Sequence, residues 1–274
     1  MLKEKILKCK LTDDQIGIFY LGQVGCLLKY RNNYLVVDPY LTDYVDRNCS
    51  SELVRWNRRY PAPMAPADLD FVDVVVCTHD HYDHMDPDTL QEIAACNSKA
   101  VFVAPDPVKH LLGNCGVPAD RVIGAVDGET LEVGDFKIEP IPAAHEELHQ
   151  DENGNYKELG YKIGCGDKSI YHAGDCCLYD GLTERLVGTN VLMLPVNGRS
   201  YYKRYVQDII GNMTAEEAVQ LAVRAGADLL IPLHFDLYDV NCLNPAQFVD
   251  TLVSNAPTQR FHIFVPGEGY ILGE

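Results

Sequence analysis

The chain of 274 residues carries 40 acidic against 23 basic side chains, a formal net charge of −17 at pH 7, and 47% hydrophobic residues, enough for a large core in a single domain over residues 1–274. The charge repels polyanions and excludes nucleic acid as an expected partner, and no apolar run approaches the ~20 residues that a membrane span needs. Ten scattered cysteines without a Cys-x-x-Cys pair, behind a start (Met1-Leu2-Lys3-Glu4-Lys5) that lacks the apolar stretch of a signal peptide, read as reduced thiols of a cytoplasmic protein.

Residues 1–15 are charged and mixed, a lead-in. Three apolar segments, 16–20, 26–30 and 34–38, separated by Gly22-Gln23-Val24-Gly25 and Arg31-Asn32-Asn33, predict a meander of antiparallel strands. Residues 39–70 hold Pro39, Pro61, Pro63 and Pro66 with Arg55, Trp56, Arg58, Arg59 and Tyr60, too irregular for one element; such an insertion either walls a site or forms a surface excursion. The β-branched run 72–77 predicts a buried strand, and Asp86 as N-cap before Pro87 opens a helix to about residue 95. A strand over 100–104, a helix over 107–112 and a strand over 121–125 follow.

The second half repeats this grammar. Segments 130–133 and 136–143 form a hairpin around Gly134-Asp135, 161–164 pairs with 169–172, and 191–195 is a buried strand. Thr214-Ala215-Glu216-Glu217 is a capping box for a helix that buries Ala218, Leu221, Ala222 and Ala225 and stops at Gly226. A buried strand over 229–233 reaches His234, Asn244 caps a last helix to about residue 254, and segments 261–265 and 270–272 close the chain. Many strands with helices between and after them argue two β-sheets packed face to face with helices outside.

The densest chemistry lies between the strand 72–77 and the helix after Asp86, in Thr78-His79-Asp80-His81-Tyr82-Asp83-His84. Its imidazole nitrogens and carboxylate oxygens are the groups that bind zinc, manganese or iron. Alternation along an extended chain points His79 and His81 the same way, toward one ion, while Asp83 and His84 in the following turn face a second. An exposed polar turn is the alternative, but no ordinary loop needs three imidazoles held this close. Two ions require ligands from other strand ends, and His145, Asp175 and His234 each lie just past an apolar run. His149 rivals His145 but sits in the polar segment 146–155. His172 either hydrogen-bonds a ligand or ends its strand, and Asp86 either orients a histidine, as Asp80 does in the same reading, or only caps its helix.

With those residues in place, the chain resembles the metallo-β-lactamase fold superfamily, whose His-x-His-x-Asp-His run is followed by a distant His, a distant Asp and a final His. The resemblance implies an α/β, four-layer αββα sandwich of two mixed β-sheets with helices on the outer faces and the site at the edge between the sheets. It implies two divalent metal ions, manganese or zinc. His79, His81 and His145 would hold the first, Asp83, His84 and His234 the second, and Asp175 would bridge them around a shared hydroxide. Asp83, Asp175 and His172 are then the catalytic candidates.

Within the superfamily, Tyr20-Leu21-Gly22-Gln23-Val24-Gly25, Tyr171-His172-Ala173-Gly174-Asp175, Asn212-Met213-Thr214-Ala215-Glu216 and Ile231-Pro232-Leu233-His234-Phe235-Asp236 are similar to the ascorbate-6-phosphate lactonase type. The expected reaction is the opening of a lactone, here a sugar-phosphate lactone. An anionic small-molecule substrate needs cations besides the metals, and Arg199, Lys203 and Arg204, interleaved with Tyr201 and preceded by Asn197, are the candidates; a solvated loop is the alternative. The rival readings are a phosphodiesterase or phospholipase D-like hydrolase on the same site and a non-catalytic metal-binding module. A homo-oligomer is expected.

Overall fold

Alternate residues of the first strand face opposite ways, and that alternation sets the layers. The structure, a computed structural model, describes residues 1–273. Strands β1 (Ile16–Gly22), β2 (Gly25–Tyr30) and β3 (Asn33–Val37) form the expected antiparallel meander, which β4 (Val74–Val76), β5 (Val101–Pro105) and β6 (Val122–Ala125) continue in parallel. The second sheet begins with β7 (Leu131–Val133), β8 (Phe136–Pro142), β9 (Leu159–Cys165) and β10 (Lys168–His172), all antiparallel, and adds β11 (Val191–Pro195) and β12 (Leu229–Leu233) in parallel. The last strand, β13 (Gly269–Leu272), returns to pair with β1, so the sheets hold seven and six strands.

Ile16, Ile18 and Tyr20 of β1 point between the sheets, where they meet Val74, Val76, Ile163 and Ile231. Phe19 and Leu21 point outward and pack with Leu90 and Ile93 of a helix over Pro87–Cys96. On the other outer face, Leu192 and Leu194 of β11 pack with Leu221, Ala222, Phe248 and Leu252 from two further helices. Each large apolar side chain buried this way stabilises the fold by about 1.5–3 kcal/mol. The expected αββα layering of two mixed sheets is thus the observed one.

In chain order the helices are α1 (Leu2–Lys8), α2 (Tyr44–Cys49), α3 (Pro87–Cys96), α4 (Leu111–Asn114), α5 (Leu182–Leu186), α6 (Tyr201–Tyr205), α7 (Ala215–Ala225) and α8 (Pro245–Asn255). The caps of the longer ones are those read from the sequence. Asp86 accepts from Asp88 N–H at 3.1 Å, Thr214 and Glu217 close the box at the start of α7, and Asn244 accepts from Ala246 N–H at 3.0 Å.

Three segments differ from expectation. The lead-in is helical because the buried Lys29 ammonium donates to the carbonyls of Ile6 at 3.1 Å and Cys9 at 2.7 Å, a C-terminal cap that only the tertiary fold supplies. The helix expected over 107–112 is displaced, since the N–H groups of Val108 and Lys109 close a turn on Pro105 O and α4 starts at Leu111. Segment 261–265 makes a single bridge to β12 at Phe261. Phe264 then turns inward and stacks on Tyr20 at 5.6 Å, carrying the chain across to the first sheet. All ten cysteines are free thiols, Cys176 and Cys177 being buried among core side chains. No helix among the described residues is long and apolar enough to cross a membrane.

Candidate metal centre

Four strand ends converge at one edge of the sandwich. The histidine turn leaves β4, His145 lies three residues past β8, Asp175 three past β10, and His234 directly follows β12. The approach of β10 to the turn is close: a Cβ on Gly174, whose φ is 59°, would lie 2.6 Å from Thr78 Oγ1. Only glycine lets the chain pass there and still deliver Asp175 beside the histidines. His79 packs against His84, His81 and His145 with ring centroids 4.1, 4.7 and 5.1 Å away, and Asp175 Oδ1 lies 3.3 Å from His84 Nε2 and 3.4 Å from His234 Nε2. His234 Nε2 is also 3.6 Å from Asp83 Oδ2. The structure therefore brings together all seven side chains that the sequence reading joined, while His149 stands exposed and paired with Glu158.

A layer of residues behind these ligand atoms fixes which ring nitrogen faces inward. Asp38, at the end of β3, is fully buried; its carboxylate accepts from Thr78 N–H at 2.8 Å, Thr78 Oγ1 at 2.7 Å and His84 Nδ1 at 2.8 Å. Having given its proton to Asp38, the Thr78 hydroxyl accepts from His79 Nδ1 at 3.0 Å. Both rings thus carry a proton on Nδ1 and turn Nε2 toward the cluster. Gln23 joins from the turn between β1 and β2. Its side-chain amide donates to Asp83 Oδ2 at 2.9 Å beside His234 Nε2 at 3.1 Å, and its carbonyl accepts from His234 N–H at 2.7 Å. Gln23, Asp38 and His234 hold left-handed backbones with φ of 60°, 45° and 58°. Such strain costs about 1–3 kcal/mol per residue and persists here because hydrogen bonds over-determine each position.

The fit to a metal rests on atoms that the protein leaves unsatisfied. His79 Nε2, His84 Nε2, His145 Nδ1 and Asp175 Oδ1 are buried without a hydrogen-bond partner. Burying such an atom unpaired costs about 1–3 kcal/mol, and here four of them point into one space. Ligand atoms in the sets His79–His81–His145, His79–His84–Asp175 and Asp83–His84–His234 lie within 4.8 Å of one another. Imidazole nitrogen with carboxylate oxygen is a donor set for a divalent cation of the zinc or manganese kind.

Burial holds His79 well below the usual imidazole range, helped by His84, and brings His145 down to about 4. Both present neutral nitrogen at pH 7. Burial also opposes charge on His84 and His234, yet the carboxylates around them prevail: His84 is held well above the usual range, chiefly by Asp175 and Asp83, and His234 is raised to about 9, chiefly by Asp175. Reciprocally, against the effect of burial, His84 and His234 hold Asp83 and Asp175 well below the usual carboxylate range. One side is thus set for a cation as it stands, and on the other a cation exchanges for protons.

The remaining candidates lie elsewhere. His172 presents no free nitrogen: Nε2 donates to Val24 O at 2.8 Å and Nδ1 accepts from Gly174 N–H at 3.2 Å, so it shapes the turn before Asp175 instead of touching substrate. Asp86 binds Thr42, Thr89 and Asp88 N–H, which makes it a cap and loop anchor. Arg199 forms a two-pronged pair with Glu217 at 2.6 Å, Arg204 pairs with Glu146 at 2.7 Å and Asp208 at 3.2 Å, and Lys203 donates to Asn197 O at 2.7 Å. Asn197 is buried between Asn212 and Asn241, and Tyr201 is exposed and tilted against Tyr205. None of these five lines the cavity of about 720 Å³ that opens over the cluster; its walls come from α2, from residues 51–56 and from residues 207–210. The irregular insertion therefore does wall the site. Asp38 and Gln23 escaped the sequence reading; the signals were a carboxylate ending an apolar strand and a glutamine between two turn glycines.

The family model described as the beta-lactamase superfamily domain matches residues 33–235, which include all seven clustered side chains. A UPF0173 metal-dependent hydrolase of Methanoculleus marisnigri is 30% identical over 206 residues, 73% of this chain and 82% of its own. One from Saccharolobus solfataricus is 27% identical over 245 residues, 86% of this chain and 91% of its own. Among solved structures, a possible metal-dependent hydrolase from Veillonella parvula superposes with a TM-score of 0.75 at 18% identity, over 93% of this chain and 99% of that one. An isothiocyanate hydrolase from Delia radicum gut bacteria gives 0.73 at 18% identity, over 93% and 98%. At such identities the likeness is one of fold.

Proposed function

This chain belongs to the beta-lactamase superfamily domain family and is a metal-dependent hydrolase, and from that premise we propose that the bond it cleaves is the carbonyl ester of a lactone. The observation that carries the reading is the set of four buried, unpartnered ligand atoms in a cluster whose His145 and Asp175 line a cavity of about 720 Å³. When bound, a divalent ion supplies Lewis acidity and a nucleophile drawn from water near neutral pH. His79, His81 and His145 would hold one ion and Asp83, His84 and His234 another, with Asp175 between the two sets. Asp38 and Thr78 keep His84 and His79 in the tautomer that turns Nε2 inward, and the Gln23 amide holds Asp83 Oδ2 toward His234. Trp56, Val54 and Ile209 add apolar side chains to the lining.

A carbonyl centre is favoured over a phosphodiester because neither Lys nor Arg lines the cavity, and a phosphodiester brings a negative charge that those side chains would normally meet. The test is turnover of a panel of lactones and of a p-nitrophenyl phosphodiester by protein stripped of metal and reloaded with manganese or zinc. Lactone opening that requires the metal is the expected result. Phosphodiester cleavage without lactone opening overturns the reading.

A further inference from the structure

We infer that the cavity over the metal centre selects an uncharged substrate that carries an apolar chain, and rejects a phosphorylated one. The inference rests on the lactone reading for the bond cleaved and adds what surrounds that bond. The lining contains the carboxylates Asp80, Asp83, Asp175 and Asp208 and no basic side chain other than the clustered histidines. The cations nearest in sequence stay outside the lining: Arg55 is exposed, Arg47 pairs with Asp43 and Asp88, Arg204 with Glu146 and Asp208, and Lys203 donates to backbone and amide oxygens. A phosphate group brings roughly −1.5 to −2 charges at pH 7, and away from the metals it would meet carboxylates with no Lys or Arg in the lining to compensate.

Apolar side chains stand in the lining beside these carboxylates and the polar Ser51, Gln207 and Asn241. Val45, Val54 and Ile209 are buried, Trp56 and Ile210 half-buried, and all five line the cavity. They belong to two irregular stretches far apart in the chain, α2 with residues 51–56 and residues 207–210. Trp56 is held in place, edge-on to Tyr238 at 5.1 Å between ring centres, and the Tyr238 hydroxyl donates to the Tyr40 hydroxyl at 2.8 Å. A volume of about 720 Å³ suits a small organic ligand.

Trp56 is the chain's single tryptophan, so its fluorescence reports directly on the wall. Metal-loaded protein is titrated with a series of uncharged five-membered lactams of increasing alkyl length, whose unstrained amide resists hydrolysis, and with the same lactams bearing a phosphate. The expected result is a saturable change in emission for the uncharged series, with affinity rising about fourfold per added methylene until the wall is covered. The phosphorylated partner binds at least tenfold more weakly. In I210K, which puts a cation on the half-buried edge of the wall, that preference narrows or reverses. Tighter binding of the phosphorylated lactam, or affinity independent of chain length, overturns the inference even if lactones are opened. Chain-length-dependent binding without turnover of any lactone leaves the inference standing and removes the lactone reading.

Discussion

The floor and the wall of this cavity are built on opposite terms. Floor residues stand at the ends of buried strands, and four of the seven clustered side chains have a partner that fixes their orientation: Asp38 behind His84, Thr78 behind His79, Gln23 beside Asp83 and His234. Wall residues come from a six-residue helix and irregular chain, where Trp56 leans on a tyrosine and Ile210 is half-buried. A floor so constrained suits chemistry that fails when a ligand moves by an ångström. A wall carried on loops can change its side chains without disturbing either sheet. In this molecule the clustered histidines and aspartates and the cavity wall are thus lodged in separate parts of the chain.

The comparison breaks if the floor tolerates change. Replacing Asp175 with alanine, or His81 with alanine, is expected to lower turnover by about three orders of magnitude or more, because several kcal/mol of charge stabilisation goes with the metal. Elemental analysis would show metal lost and far-UV circular dichroism would show the fold kept. Unchanged turnover in either variant removes the metal-centre assignment. Next comes Asp38→Ala, which touches no ligand position of its own. It leaves Thr78 N–H, Thr78 Oγ1 and His84 Nδ1 without their common acceptor, so metal affinity is expected to fall about 10–100-fold and the melting temperature with it. A variant that binds metal as tightly as the parent would show that the ring orientation is set elsewhere. Gln23→Leu removes one amide contact and is expected near the lower end of that range, about tenfold. The visible spectrum of the cobalt-substituted protein would shift with it, a change that a purely structural role would not produce.

The floor was legible in the sequence because its signal is local in kind, even where it is distant along the chain. Each ligand follows an apolar run, and a histidine or aspartate just past a buried strand stands out against its neighbours. Asp38 follows such a run too, yet it was read only as the last residue of a strand, because one carboxylate without histidines nearby carries no metal signature. The layers were legible for a related reason: a strand buried on both faces and a capped amphipathic helix each announce themselves within ten residues. α1 was not, because its terminal cap is Lys29, and no periodicity in residues 1–15 points to a partner in a later strand. The wall was the least legible part. Val45, Val54, Trp56 and Ile209 share a face only because two insertions meet in space, and neither insertion has a period to read.

Arg199 shows how far a sequence cue can mislead in such a stretch, and it offers the most delicate test of the comparison. Lying past a buried strand and shortly before Tyr201 and Tyr202, it has the look of an anion anchor, but its guanidinium makes a two-pronged pair with Glu217, both contacts at 2.6 Å, tying the segment before α6 to the first turn of α7. The Glu217 carboxylate, which closes the capping box of α7, is held below its usual range first by Arg199. The pair is partly exposed, so its contribution to stability is expected within about 0.2–1 kcal/mol. Arg199→Met should therefore lower the melting temperature slightly and change kcat/KM for any accepted substrate by less than about twofold, since no contact to the cavity is lost. A tenfold rise in KM confined to phosphorylated substrates would instead return Arg199 to the site and with it the electrostatics of the whole wall. Near-invariant kinetics together with a small thermal shift would place the residue where its geometry does, as a clasp between two surface segments.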